Sequence, residues 1–319
     1  MDLRLAAVSA AQAGAVLRRQ ALAAGISDDE ISRRIRSGTW TAIRRGAYVE
    51  RSAWLAMDEA ARHRARVHAV VANLAGPVVV SHTSAAVMLG LPTWGLDMST
   101  VHVTRPPAVS TRTEAGVWHH SAQLSDDEVI EIDGIAITHP ARTVVDTARV
   151  TDFEPSVVVA DAALRTDLTT DRELLATVDH MRDWPGARNA GRVVEFADGR
   201  AESVGESRGR VCLDAGGLPR PDLQVVITDY SDGWAARVDF LFVEHRTIGE
   251  FDGRVKYGRP DAPGLDPGSA VWLEKLREDR LRAMGFEVVR FIWAELSRPD
   301  LVASRFRQAF ARAARRTHS

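Results

Sequence analysis

Three acidic residues in apolar runs of strand length most constrain the fold of the last third of this chain. Asp239 lies within the run 238–242, and Glu250 and Asp252 flank Phe251 near the end of a later run. A half-buried carboxylate is costly unless it is paired or binds a metal. Alternation puts Glu250 and Asp252 on one strand face, and an adjacent strand can bring Asp239 beside them. We expect these three carboxylates to bind a divalent cation, Mg²⁺ or Mn²⁺ rather than zinc.

Turn and helix signals around these runs predict one C-terminal α/β domain, residues 200–319. A helix that carries Glu206 is expected over 203–215, and the glycine pair after it ends the helix. Apolar runs and turn signals predict strands at 224–228, 235–243, 247–251 and 287–292, and helices at 271–284 and 299–315. The predicted element order is α-β-β-β-α-β-α.

Asp239, a spacer of ten residues and then Glu250-Phe251-Asp252 resembles the core motif of the PD-(D/E)XK nucleases, which share this strand order. More narrowly, segments 236–241 and 249–257 resemble relatives of the very-short-patch repair endonucleases, and the likeness covers roughly residues 200–297. The resemblance implies a restriction-endonuclease-like fold, with Asp239 and Glu250 as metal ligands and Glu206 completing the site. A metal there polarises the scissile phosphate and lowers the pKa of the attacking water.

One position departs from the family's motif. The family has a lysine two residues after the glutamate, where this sequence has Asp252. Only two of the 41 basic residues are lysines, Lys256 and Lys275. We expect Lys256, four residues after Asp252, to supply the missing charge from a displaced position. The predicted catalytic set is Glu206, Asp239, Glu250, Asp252 and Lys256.

Residues 1–52 predict two helices followed by a basic hairpin. Helices are expected over 11–22 and from the N-cap Ser27 to Gly38, and two strands flank Gly46. This is the outline of a winged helix-turn-helix, and the run 25–48 resembles the N-terminal domain of AbiEi-family antitoxins of type IV toxin–antitoxin systems. The second helix and hairpin tip are expected to contact DNA, although winged modules also serve as protein-contact scaffolds. The predicted contacts are Arg33, Arg34, Arg36, Arg44 and Arg45.

Short strands and helices predict an α+β middle domain over residues 53–150 and a helical connector over 151–199. Segments 81–86, 101–104 and 138–143 resemble the body of the same antitoxin family. The histidines in this region lack the paired spacing of a zinc-binding helix, so we expect them to form core hydrogen bonds and caps instead of a metal site. They are His82, His102, His119, His120 and His139.

Composition excludes several other classes of protein. The chain is 45% hydrophobic and 26% charged, which is typical of folded globular proteins. The single cysteine, Cys212, excludes a disulfide framework, and no apolar run approaches the ~18 residues of a membrane span. A cytoplasmic protein without a membrane segment is therefore expected.

The net charge of -2 hides an uneven distribution. Six arginines in the last 22 residues oppose only Asp300, a local excess large enough to hold phosphate. Arg290, at the end of the last predicted strand, either contacts the DNA backbone or pairs with carboxylates. The charged helical segment 274–279 is expected to be a solvated face with i,i+3 and i,i+4 pairs.

Two functions from different classes fit these observations. The first is a Mg²⁺-dependent DNA endonuclease, a hydrolase targeted by its winged helix. The alternative is an AbiEi-like antitoxin and transcriptional repressor whose nuclease fold is degenerate. A further hypothesis makes the middle domain a protein-contact module that neutralises a cognate toxin. Four polar residues in strand context favour the enzyme, while Asp252 in place of the family's lysine favours the regulator. Winged-helix regulators often act as homodimers, but no heptad pattern here requires one.

Overall fold

The computed structural model describes residues 3–107, 110–253 and 267–317. Thirteen α-helices and three β-sheets are formed by these residues, so the fold is mixed α/β. The chain divides into two compact units, Met1–Ala197 and Asp198–Ser319. In the described ranges no helix is both long and apolar enough to cross a membrane.

The first unit begins with a three-stranded antiparallel sheet of order β1-β3-β2 and several short helices. These elements are α1 (Leu3–Ala11), β1 (Val16–Leu17), α2 (Arg18–Ala23), α3 (Asp28–Arg36), β2 (Trp40–Arg44), β3 (Ala47–Glu50) and α4 (Arg51–Ala56). The prediction of a continuous helix over 11–22 is wrong. Ala13 and Gly14 have positive φ angles of 50° and 90°, a conformation that a right-handed helix excludes. The N-cap prediction is confirmed, because Ser27 Oγ accepts a hydrogen bond from the Glu30 amide at 3.2 Å.

A six-stranded mixed sheet forms the centre of the first unit, in the order β6-β7-β5-β4-β9-β8. Its elements are α5 (Glu59–Val71), β4 (Val79–Val80), α6 (His82–Met88), β5 (Val101–Arg105), β6 (Arg112–Glu114), β7 (Val117–Ser121), β8 (Val129–Ile132) and β9 (Ile135–Thr138). Strands β5 and β7 are parallel neighbours, as are β4 and β9. Asp133 and Gly134 both have positive φ, as a tight two-residue hairpin requires.

Four further helices complete this unit: α7 (Pro140–Val150), α8 (Phe153–Arg165), α9 (Asp171–His180) and α10 (Ala187–Phe196). They pack on one another, and α7 also packs against α6. Pro140 occupies the first turn of α7, where the missing amide hydrogen has no helical partner to lose.

The second unit is built on a four-stranded sheet of order β10-β11-β12-β13. Its elements are α11 (Val204–Ala215), β10 (Asp222–Asp229), β11 (Trp234–Phe242), β12 (Thr247–Asp252), α12 (Pro267–Ala283), β13 (Glu287–Ile292) and α13 (Pro299–Thr317). The first three strands are antiparallel and β13 joins β12 in parallel. The elements follow in the predicted order, α-β-β-β-α-β-α.

Two separate apolar clusters cover the faces of this sheet. On one face α11 and α13 pack against Phe240 and Phe291, and buried Cys212 belongs to this cluster. On the other face Leu281 of α12 packs against Val238 and Ile248. Burial of apolar surface on both sides fixes the sheet between its helices, so its strand ends can hold polar side chains in fixed positions.

Candidate functional site

The pairing between β11 and β12 ends where two carboxylates face each other. The antiparallel ladder stops at the pair Phe240–Gly249, and the next residue on each strand is acidic, Asp239 on β11 and Glu250 on β12. Asp239 Oδ2 accepts a hydrogen bond from the Phe251 amide at 2.9 Å. The Asp239 side chain therefore satisfies the Phe251 amide, which the β11–β12 ladder leaves unpaired. We call this place the acidic fork.

A third carboxylate, Glu206, comes from the first turn of α11. Ser203 Oγ accepts from the Glu206 amide at 3.1 Å and donates to Glu206 Oε1 at 2.8 Å. The Glu202 amide donates to Glu206 Oε2 at 2.9 Å. Gln224 Nε2 donates to the same oxygen at 2.8 Å and to Asp239 Oδ1 at 3.4 Å. Glu206 thus reaches the acidic fork through an amide.

Gln224 is a site residue that the sequence analysis missed. Its φ of 53° lies in the left-handed region, which costs free energy for a residue with a side chain. The ladder between β10 and β11 pairs Leu223 with Phe240 and Val225 with Val238, and omits the position between them. The only sequence signal is an amide at the start of an apolar strand.

Burial raises the pKa of all three carboxyl groups. It raises the pKa of Glu250 to about 7, and the neighbouring charge of Asp239 adds to this shift while Arg277 opposes it. Burial also raises the pKa of Asp239 and that of Glu206. Asp239 and Glu250 face each other at the end of the ladder, so the charge of each carboxylate disfavours the charged form of the other. A bound cation would instead favour the charged forms of both.

Arg277 of α12 supplies positive charge at the acidic fork. Its Nη2 donates to Glu250 Oε1 at 2.8 Å and to the Arg237 carbonyl at 2.6 Å, and its Nη1 donates to Glu274 at 3.0 Å. The prediction of a solvated face over 274–279 is therefore wrong for Arg277, although its i,i+3 pair with Glu274 is present. Helical spacing does not reveal which strand residue lies opposite.

The remaining predicted residues of this region differ in their placement. Asp252 is half-buried at the end of β12, next to Ile292 in the parallel ladder. Lys256 lies outside the described residues. Arg290 pairs with Glu274 and with Glu278, whose Oε2 accepts from Arg290 Nε at 2.8 Å. The structure shows the ion pairs of Arg290, and its contact with the DNA backbone stays a prediction.

The predicted DNA contacts of the first unit lie on α3 and on the β2–β3 hairpin. Arg33 and Arg34 both pair with Glu30, and the Arg34 guanidinium lies 5.0 Å from the centre of the Trp40 ring. Arg36 is exposed on the same helix. At the hairpin, four arginines surround one surface depression: Arg18, Arg19, Arg44 and Arg45.

Comparison with known proteins gives relatives without a described function. No family model matches the chain. Two proteins of Mycobacterium tuberculosis are each 29% identical over 208 residues, which is 65% of this chain and 73% of theirs. They are described as uncharacterized protein MT2308 of strain CDC 1551 and uncharacterized protein Rv2248 of strain H37Rv.

Proposed function

We propose that the second unit is a restriction-endonuclease-like domain that hydrolyses DNA phosphodiester bonds with Mg²⁺ or Mn²⁺. The observation that carries this proposal is the acidic fork. Asp239 and Glu250 occupy the first positions beyond the end of a strand ladder, and both have a raised pKa. Buried carboxylates of this kind are stable as anions only beside a cation.

The donor set of the acidic fork fits a hard divalent cation, because it offers carboxylate oxygens. Asp239 and Glu250 would hold the ion, and Asp252 at the end of β12 would be a further ligand. Such an ion, when bound, polarises the scissile phosphate and lowers the pKa of its water. Glu206 and Gln224 hold Asp239 in orientation.

The positive charge that the family takes from its lysine has a candidate source in Arg277. Its guanidinium is 2.8 Å from Glu250, and its pKa is raised by that carboxylate, against the opposing effect of burial. A cation at the fork would compete for Glu250 and release part of the Arg277 hydrogen bonding toward a phosphate. Among the described residues we assign this charge to Arg277, and the role expected for Lys256 stays a prediction.

We further propose that residues 1–52 form a winged helix that brings the chain to DNA. Helices α2 and α3 and the β2–β3 hairpin supply the parts of that motif, with Arg36 exposed on the second helix. Arginines of the hairpin depression would contact phosphates and fix the protein on the duplex without reading its sequence. This role is independent of catalysis.

The test is nicking of supercoiled plasmid by the full chain with Mg²⁺ or Mn²⁺. We expect nicked product from the wild type and from Glu244→Gln, because Glu244 is an exposed carboxylate of the same unit. Asp239→Asn and Glu250→Gln should give none. A panel of duplexes with each single mismatch and with methylated bases covers substrate selectivity. Equal cleavage by Asp239→Asn, or no cleavage of any substrate by the wild type, contradicts the proposal.

One observation favours the alternative of an antitoxin-like repressor with a degenerate nuclease fold. Asp252 stands in the family's lysine position, and the Arg277–Glu250 pair neutralises part of the fork without a metal. A gel-shift assay on the fragment upstream of the protein's own gene tests this function. Binding that is unchanged in Asp239→Asn, together with an inactive wild type in the nicking assay, would support the repressor.

A further inference from the structure

Three histidines of the first unit converge from three different elements. His82 is the first residue of α6, His102 lies on β5 and His120 on β7. One nitrogen from each ring lies within 4.8 Å of the corresponding nitrogens of the other two. His102 Nδ1 and His120 Nε2 are 3.0 Å apart. We call this group the histidine cluster.

Burial disfavours the protonated form of all three imidazoles. Burial lowers the pKa of His102 to about 4 and that of His120 to about 2, and it lowers the pKa of His82 well below the ordinary value. The rings are therefore neutral at pH 7, with one lone pair each.

The facing nitrogens of His102 and His120 have nearly the separation of two metal ligands. Of two neutral imidazoles in hydrogen-bond contact, one donates its N–H to the other. For both facing nitrogens to hold a cation, the donor ring would move its proton to its second nitrogen. Tetrahedral ligands at ~2.0–2.1 Å from zinc lie about 3.3 Å from each other. The observed 3.0 Å needs to open by only about 0.3 Å.

A hydrogen-bond partner at Nδ1 of His82 leaves Nε2 as the ring atom that would bind the metal. Ser81 Oγ accepts from Thr104 Oγ1 at 2.8 Å and lies 2.9 Å from His82 Nδ1. A hydroxyl oxygen has two lone pairs, so Ser81 Oγ can also accept a hydrogen bond from the Nδ1–H of His82. In that tautomer Nε2 has the lone pair that would bind the metal. Metal-bound histidines usually donate a hydrogen bond from the N–H of their other ring nitrogen in this way. His82 also has a positive φ of 52°, a strained conformation that proteins keep at functional sites.

We propose that His82, His102 and His120 bind a divalent transition metal, for which Zn²⁺ is the reference ion. The His82 and His120 rings are stacked with centroids 3.6 Å apart, so one ring turns about its side-chain torsions when the ion binds. Three imidazoles and an open fourth position are typical of catalytic zinc sites. Nitrogen ligands select such metals over Mg²⁺. This site and the acidic fork would therefore bind different metals.

His82 and His120 also line a cavity of about 500 Å³. Asp146 Oδ1 lies 3.8 Å from His82 Nε2. Asp146 also accepts from Arg142 Nε and from Arg149 Nη1, each at 2.7 Å. Both arginines line the same cavity. Asp146 and Asp183 line it as well, so the two arginines give the cavity wall no net positive charge.

Calorimetric titration of the chelator-treated full chain with Zn²⁺ tests the proposal. We expect one high-affinity site per chain, weakened more than about 100-fold in His120→Gln. His119→Gln is the matched control, because His119 is the adjacent buried residue of β7 and points to the other sheet face. The double variant Asp239→Asn/Glu250→Gln should keep the site, since it alters only the acidic fork.

Three outcomes would overturn the proposal: no high-affinity Zn²⁺ site in the wild type, equal affinity in His120→Gln, or loss of the site in the acidic-fork double variant. Circular dichroism of each variant establishes that it folds. Should His120→Gln fail to fold, the Co²⁺ complex of the wild type decides the question. Tetrahedral nitrogen ligation gives intense visible absorption bands, and the weak bands of octahedral oxygen ligation would refute the site.

Discussion

The acidic fork and the histidine cluster are both groups of buried titratable side chains, but burial acts on them in opposite directions. It raises the pKa of Glu250 to about 7 and lowers that of His102 to about 4. In both places the neutral form is favoured, because a low dielectric penalises charge of either sign. A cation bound at the fork would favour its charged form, whereas burial already favours the neutral imidazoles to which a metal binds. Two chemically different metals would suit the two regions.

The largest expected effect separates the two regions by activity. Asp239→Asn should lower metal-dependent nicking at least about 100-fold, as loss of an electrostatic group at a reacting phosphate does. His120→Gln should leave nicking within about twofold, because the fork and the cluster belong to different units. Initial nicking rates at saturating Mg²⁺ measure both. A comparable loss in His120→Gln would show that the regions form one functional system.

The arginine partners of the two regions should differ in their contribution to stability. Arg142 is buried between Asp146 and Glu128, and removal of one partner from a buried ion pair costs about 3–5 kcal/mol. Arg142→Ala should therefore lower the free energy of unfolding by that amount. Arg277 is partly exposed, and Glu250 can take up a proton when its partner is lost, so Arg277→Ala should cost about 1–2 kcal/mol.

Urea unfolding at pH 7 measures this pair of variants, followed separately in each unit by hydrogen exchange. An equal loss for both would mean that exposure and proton uptake do not distinguish the two ion pairs. Arg182→Ala is a matched control, because Arg182 is exposed and its ion pairs are on the surface, where they contribute little.

The two regions also differ in how far the sequence could predict them. Asp239 and Glu250 stand out because each interrupts an apolar run on its own strand, and the sheet order that brings them together follows from short connections. His82, His102 and His120 meet only because β5 and β7 are parallel neighbours and α6 begins beside them. No local pattern contains that pairing. Gln224 and Arg277 were missed for the same reason, since their partners are distant in sequence.

Opposite pKa shifts predict opposite effects of pH on stability. The folded-state pKa of Glu250, about 7, exceeds its ordinary value of 4.5, so the native state binds more protons between these values and loses stability as pH rises through them. The histidines have folded-state pKa values below 6.5. Below that pH the unfolded state binds more protons, so their contribution is lost as pH falls.

Chemical denaturation from about pH 5 to about pH 8 checks both signs. In metal-free protein, Glu250→Gln should reduce the decline in stability of the second unit toward higher pH, because Asp239 and Glu206 keep their raised pKa values. Mg²⁺ should reduce the decline in the wild type. His120→Gln should weaken the loss of stability of the first unit toward lower pH. A second unit whose stability is unaffected by Glu250→Gln at every pH would contradict the raised pKa.

The smallest expected effect concerns the groups that orient the ligands in each region. Ser81→Ala removes the oxygen that faces His82 Nδ1 at 2.9 Å, and loss of such a partner weakens metal binding about tenfold. Zn²⁺ affinity should fall by that factor while nicking is retained. Gln224→Ala removes the amide between Glu206 and Asp239 and should lower nicking without any change in Zn²⁺ affinity. Zn²⁺ titration and nicking assays of both variants therefore give four results. Each variant should change one of the two measurements, because Ser81 is hydrogen-bonded to the histidine cluster and Gln224 to the acidic fork.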